Sequence, residues 1–121
     1  MTEQPEYVAD VDRLTTHCHT EGIALQTIKS VARCRWDDTD PHFSWYEPLA
    51  PGDALRRSVE FVLADPRLFL NTTSDAQLLP AIIEAAQRFD GRAPDAALLA
   101  QDRAEHGIVS LFDGGVLEGT R

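Results

Sequence analysis

The chain reads as an α/β protein, rich in helix and built from parallel βαβ units, and three observations carry that reading. Two short apolar runs, at 22–29 and 68–70, hold strand-forming residues between turn signals. Helical periodicity occupies the segments before, between and after them, so the order is helix, strand, helix, strand, helix. Both runs turn polar at their carboxyl ends, one into Lys29 and Ser30, the other into Asn71, Thr72, Thr73 and Ser74. In parallel α/β folds, ligands collect at that end of the strands.

Residues 7–20 place Tyr7, Val11, Leu14 and Cys18 at helical spacing, with Gly22 positioned to terminate the helix. The first strand follows, with Ile23, Ala24, Leu25 and Ile28 as its apolar residues and its end near Lys29. A loop of about 22 residues then runs to Gly52, a length that in compact domains goes with function or disorder. It carries Trp36, Trp45, Tyr46 and the prolines Pro41, Pro48 and Pro51.

Asp53 is expected to cap a helix ending at Leu63, with Leu55, Val59, Val62 and Leu63 as its apolar stripe and Arg56, Arg57 and Glu60 facing water. Asp65 and Pro66 end it, and the strand 68–70 follows. The next helix is expected to start at Ser74, with Leu78, Leu79, Ile82, Ile83, Ala86 and Phe89 as apolar positions. Pro80 lacks an N–H and can split that segment into a short turn and a second helix. Asp95 is read as the cap of a helix over 96–105 that Gly107 stops. Residues 1–112 are read as one unit, and 113–121, with Gly114, Gly115 and Gly119, as a flexible tail.

Two parallel strands alone cannot satisfy their edges or cover both faces. The sequence is therefore expected to be part of something larger.

Composition narrows the function classes. The chain has 121 residues, 43% of them hydrophobic, enough for one domain with a core. Its 20 acidic and 11 basic residues give a net charge of −9, the wrong sign for a nucleic-acid backbone or an anionic membrane. No apolar run reaches the roughly 20 residues that span a bilayer, and the acidic start lacks the pattern of a secretory signal. A cytoplasmic protein with free thiols at Cys18 and Cys34 is expected.

The strand ends and the helices that follow them resemble the C-terminal part of the aldo/keto reductases, eight-stranded barrels that reduce carbonyls with NADPH. The segment Ile28-Lys29-Ser30-Val31-Ala32-Arg33 is similar to the Met-Lys-Pro-Leu-Ala-Gly pattern at the family's seventh strand. Ala54-Leu55-Arg56 through Val62-Leu63 looks like the Ala-Leu-Arg helix that follows, and residues 68–79 look like the eighth strand, its phosphate-proximal turn and a Leu-bearing helix. The likeness covers roughly residues 7–90.

The resemblance implies a partial (β/α)8 TIM-barrel segment that binds NADP(H) weakly. It implies that Lys29, Ser30 and Val31 lie beside the cofactor diphosphate and Thr72, Thr73 and Ser74 beside the adenosine phosphate. Ser74, read as opening a helix, would add backbone amides suited to an anion. Where the family carries an arginine and a Glu-x-x-Asn pair near the 2′-phosphate and adenine, this chain has Asp75, Leu79, Pro80 and Ala81. The choice between NADH and NADPH thus stays open.

The family's catalytic Asp, Tyr, Lys and His come from the first half of the barrel, to which nothing here corresponds. No catalytic residue is therefore assigned, neither Tyr46 nor a histidine. Two partner states are compatible with this reading, a homo-oligomer and a missing N-terminal half. The rival reading is a non-enzymatic half-barrel that acts by self-association or by docking on another chain.

Trp36, Trp45 and Tyr46 either line a substrate pocket or pack the long loop. His17, Cys18, His19 and Cys34 have metal-ligating side chains, but helical residues two apart do not share a face, so a zinc site is not expected. The run Asp37, Asp38 and Asp40 is read as solvated surface.

Overall fold

The computed structural model describes residues 5–111. Its elements are α1 (Pro5–Thr20), β1 (Leu25–Thr27), β2 (Ala32–Cys34), β3 (Glu47–Pro48), α2 (Asp53–Leu63), β4 (Leu68–Leu70), α3 (Leu79–Arg88) and α4 (Ala96–His106). β1 and β4 pair in parallel, Leu25 opposite Leu68 and Thr27 opposite Leu70, while β2 and β3 pair antiparallel. The architecture is mixed α/β with one parallel pair, and the strands of the described residues do not close into a barrel. The expected tail at 113–121 lies outside the described residues.

The core forms where α2 packs on α3 and on β4. Leu55 and Val59, at 1% and 0% exposure, sit at its centre with Leu49, Ala54, Leu78, Ile82, Ala85 and Val31 around them. The stripe expected on α2 is therefore the buried one, because Leu55, Val59 and Val62 recur every three or four residues on one helix face. Helix α2 has the expected bounds, but its cap is Gly52, whose carbonyl accepts the Arg56 N–H at 3.0 Å, and Asp53 is the first helical residue.

Several expectations are corrected. Arg57 does not face water: its guanidinium is bound to Asp102 of α4 and its side chain is only 15% exposed. Of the stripe read on α1, Cys18 is buried but Tyr7, Val11 and Leu14 are exposed, and Thr15 takes the second buried position. The buried Thr15 hydroxyl donates to the Val11 carbonyl, which removes the cost of burying it. Gly22 ends α1 as expected. It adopts a left-handed φ of 68°, and the Gly22 and Ile23 amides return to the His19 and Cys18 carbonyls.

The first strand is shorter than expected, ending at Thr27, and Ile23 and Ile28 are exposed because the sheet has only two strands to cover them. The long segment to Gly52 is not without structure. Val31 and Leu49 lock its ends together, the Leu49 amide donating to the Val31 carbonyl at 2.8 Å beside the β2–β3 pair.

No helix starts at Ser74. Pro80 would deny a hydrogen bond to a helix running through it and would clash with the preceding turn. The chain makes two tight turns instead, and α3 begins at Leu79, placing Pro80 where its missing N–H is not needed. Asp95 caps α4, its Oδ1 accepting the Ala97 N–H at 2.7 Å, and Gly107 ends that helix at φ 60°. Among the described residues no helix is long and apolar enough to cross a membrane.

Candidate functional site

At the carboxyl ends of β1 and β4 lies a cleft of about 240 Å³. All six residues singled out in the sequence, Lys29, Ser30, Val31, Thr72, Thr73 and Ser74, line it. The parallel pairing explains their meeting, because register Thr27 to Leu70 makes both polar segments leave the sheet at the same edge. The Asn71 amide donating to the Thr27 carbonyl at 3.0 Å continues the ladder one step into the turn.

Lys29 holds a left-handed backbone, φ 62°, unlike any other described residue except glycines. Such a conformation costs about 1 to 2 kcal/mol for a residue with a Cβ, and it persists where the surroundings impose it. Here the Ala32 amide closes a turn onto the Lys29 carbonyl at 3.1 Å. The turn re-aims the lysine, bringing its Nζ over the Tyr46 ring, 5.3 Å from the centroid; Arg35 lies 5.9 Å from the same ring.

The hydroxyls in and beside the cleft are partly committed. Thr27 and Ser30 oxygens are 3.3 Å apart, and the Thr27 hydroxyl donates to the Phe69 carbonyl at 3.2 Å. Thr73 Oγ1 accepts the Asp75 amide at 3.1 Å. Ser74 donates to the Phe43 carbonyl at 2.9 Å, tying the end of β4 to the long loop. Ser74 is therefore a bridge between two loops and not a helix cap. Val31 is buried in the core at 6% exposure, so it is mainly a floor for the cleft.

The other side of the cleft comes from the long loop, through Ser44, Trp45 and Tyr46. Trp45 is 88% exposed at the mouth, whereas Trp36 does not line the cleft and stacks on His42. The two tryptophans, alike in the sequence, thus have different places. Sequence reasoning missed His42, and it read Asp38, the partner four residues earlier, only as solvated surface; the legible signal was that spacing.

Next to the cleft wall, Arg33 and Glu47 pair across β2 and β3 at 2.6 Å. Arg33 holds the Glu47 carboxyl below its usual range, and Cys34 Sγ, 3.3 Å from the same side chain, adds to this. Burial, then that carboxylate, pushes the Cys34 thiol up, which keeps it protonated and unreactive. Both cysteines are unbridged thiols.

Chemically, the cleft combines one ammonium, several hydroxyls and two aromatic rings. That set suits an anion joined to a flat or apolar group. Compared with protein-family models, with curated proteins and with solved structures, the chain matches none.

Proposed function

We propose that this chain is the cofactor-side segment of an NAD(P)H-dependent, aldo/keto-reductase-like oxidoreductase, a partial (β/α)8 barrel that is inactive by itself. The observation that carries the reading is the convergence of two separate sequence segments, 29–31 and 72–74, on one cleft at the ends of a parallel strand pair. Lys29 and Ser30 would hold the diphosphate, with Val31 beneath it, and Thr72, Thr73 and Ser74 the adenosine phosphate. When bound, the nicotinamide would supply hydride to a carbonyl.

The residues fit part of such a cofactor. A cleft of about 240 Å³ is smaller than the ~300 to 1,000 Å³ of sites that enclose a whole ligand, so this chain would hold the phosphates and leave the rest to other walls. What the chain itself would do is bind and orient: the lysine supplies charge and the uncommitted hydroxyls supply directional donors. A proton donor for the carbonyl oxygen would have to come from elsewhere, and its loss removes about 10²- to 10⁴-fold of acid catalysis.

The test is calorimetric titration with NADPH and NADH, with Lys29→Ala alongside. Weak binding that Lys29→Ala lowers severalfold, with no reduction of simple aldehydes, is the expected result. Binding unaffected by Lys29→Ala would overturn the site, and aldehyde turnover that scales with protein would overturn the inactivity.

A second reading has its own support. The face of the parallel pair that carries Phe69 is open, Phe69 being 59% exposed, and α1 presents Tyr7, Val8, Val11 and Leu14 outward. These surfaces favour a non-enzymatic half-barrel that self-associates or docks on another chain. Sedimentation analysis discriminates: a stable monomer at high concentration counts against self-association.

A further inference from the structure

The connection between β2 and β3 contains an assembly that the cofactor reading does not use. The His42 imidazole lies flat on the Trp36 indole, centroids 3.5 Å apart and planes 4° apart. Its Nε2 is 2.7 Å from Asp38 Oδ1, and that oxygen also accepts the Asp40 amide at 2.9 Å. Trp36 Nε1 donates to the Ser44 carbonyl at 2.9 Å, and the Ser44 hydroxyl donates to the Tyr46 carbonyl at 2.8 Å. A continuous path therefore runs from Asp38 through His42 and Trp36 to Ser44 and Tyr46. Its far end, with Trp45, is one side of the cleft.

We propose that His42 is a proton-dependent positioning residue, whose imidazolium, paired with Asp38 and stacked on Trp36, clamps the 36–46 loop so that Trp45 and Tyr46 stand at the cleft. Protonation adds a cation over an indole face and turns a neutral hydrogen bond into a charge-assisted one. The neutral ring keeps only the stack and the weaker bond. The clamp is thus tighter with the ring protonated than with it neutral.

The surroundings are consistent with that sign. Asp38 is the facing charge on the loop itself, and the hydrogen bond from His42, then that from the Asp40 amide, holds its carboxyl below the usual range. From β3, Glu47 lies near enough to Asp38 for mutual repulsion, but Arg33 of β2 neutralises it. Asp37, next along the loop, likewise acts on Arg33. From the β4–α3 connection the contact is the uncharged Ser74 hydroxyl on the Phe43 carbonyl. The His42 side chain is 24% exposed, so solvent reaches it. None of this depends on what the cleft binds.

The experiment uses the whole chain with Trp45→Phe, which leaves Trp36 as the sole indole. Its emission is followed from about pH 8 to about pH 5. The expected result is a single-proton quenching curve, absent when His42→Gln is added and moved to lower pH by Asp38→Asn. In parallel, chymotryptic cleavage after Phe43 and Tyr46 in the chain with Trp45 intact, normalised to a peptide of the same sequence, is expected to slow about two- to fivefold at the low-pH end, the size of an exposed cation and ring pair. In His42→Gln the normalised rate should not vary with pH. Should that variant unfold, His42→Phe keeps the stack without the proton and is read in the same way. A curve that persists without His42, and so belongs to His17, His19 or His106, overturns the proposal. So does a flat titration or pH-independent cleavage of the native loop.

Discussion

Arg57 of α2 grips Asp102 of α4 with two parallel hydrogen bonds, Nε to Oδ2 at 2.6 Å and Nη2 to Oδ1 at 2.5 Å. Asp102 is 4% exposed, so this fork is the polar bolt between the core helix α2 and α4. Removing Asp102 leaves the half-buried Arg57 charge with the longer 3.9 Å contact to Asp53 in place of the fork. Asp102→Ala is expected to lower stability by about 3 kcal/mol, the low end for a buried pair because Arg57 retains some contact with water. Chemical denaturation measures it. The double variant Arg57→Leu/Asp102→Leu should regain most of that loss, and a double variant as unstable as the single one would show that the pair is not an isolated unit.

The same pair sets an acid limit. Arg57 holds Asp102 below the usual carboxylate range, and Arg67 does so for Asp65. A depressed folded value means that the stabilisation is fully present above the unfolded value, about pH 4, and is lost as pH falls through the lower folded values. Thermal melts should therefore hold steady from neutral pH down to about pH 5 and fall steeply below about pH 4, with a shallower fall in Asp102→Asn. Equal acid slopes for both proteins would contradict this.

At the centre of the core, Leu55 and Val59 have no solvent contact to soften their truncation. Leu55→Ala is expected to cost about 3 kcal/mol and Val59→Ala about 2 kcal/mol, each combining lost burial with a cavity. By contrast, Leu14→Ala on the exposed stripe of α1 should change the chain's stability by less than about 0.5 kcal/mol. A large loss at Leu14 would mean that this face is covered in solution, and a concentration-dependent Tm would then identify a second copy as the cover.

Arg67 joins α1 to the α2–β4 turn, reaching Thr16 Oγ1 at 3.2 Å and Asp12 at 3.4 Å while its other donors hold Asp65. Since α1 meets the rest of the described chain mainly through Thr15, Cys18 and the β1 end, this link bears on its attachment. Arg67→Ala should speed amide exchange throughout α1 and leave α2 and α3 protected. Uniform acceleration across all helices would contradict a local role.

Lys29 separates strain from charge. Lys29→Gly relieves the left-handed backbone and should raise stability by about 0.5 to 1 kcal/mol, whereas Lys29→Ala keeps the strain. Both remove the ammonium, so both should weaken binding of pyrophosphate to the cleft alike. If only the glycine variant lost binding, turn rigidity and not charge would be the contribution of Lys29.

What was legible in the amino-acid order were the features set by neighbours within a turn or two. The apolar spacing of Leu55, Val59 and Val62, the Gly22 and Gly107 stops, the Asp95 cap and the breaking power of Pro80 are local chemistry, and their helices lie where that chemistry puts them. The polar ends of two apolar runs were also visible, and they are the segments that meet at the cleft. What only the tertiary structure decided were the relationships between distant segments. Whether Arg57 faces water or Asp102, whether the α1 stripe turns inward, and whether Trp36 or Trp45 reaches the cleft depend on which surfaces meet across 45 or more residues, or within a loop that lacks a repeating period. Periodicity specifies which side of a helix is apolar; the partner available to cover it is a property of the packed whole.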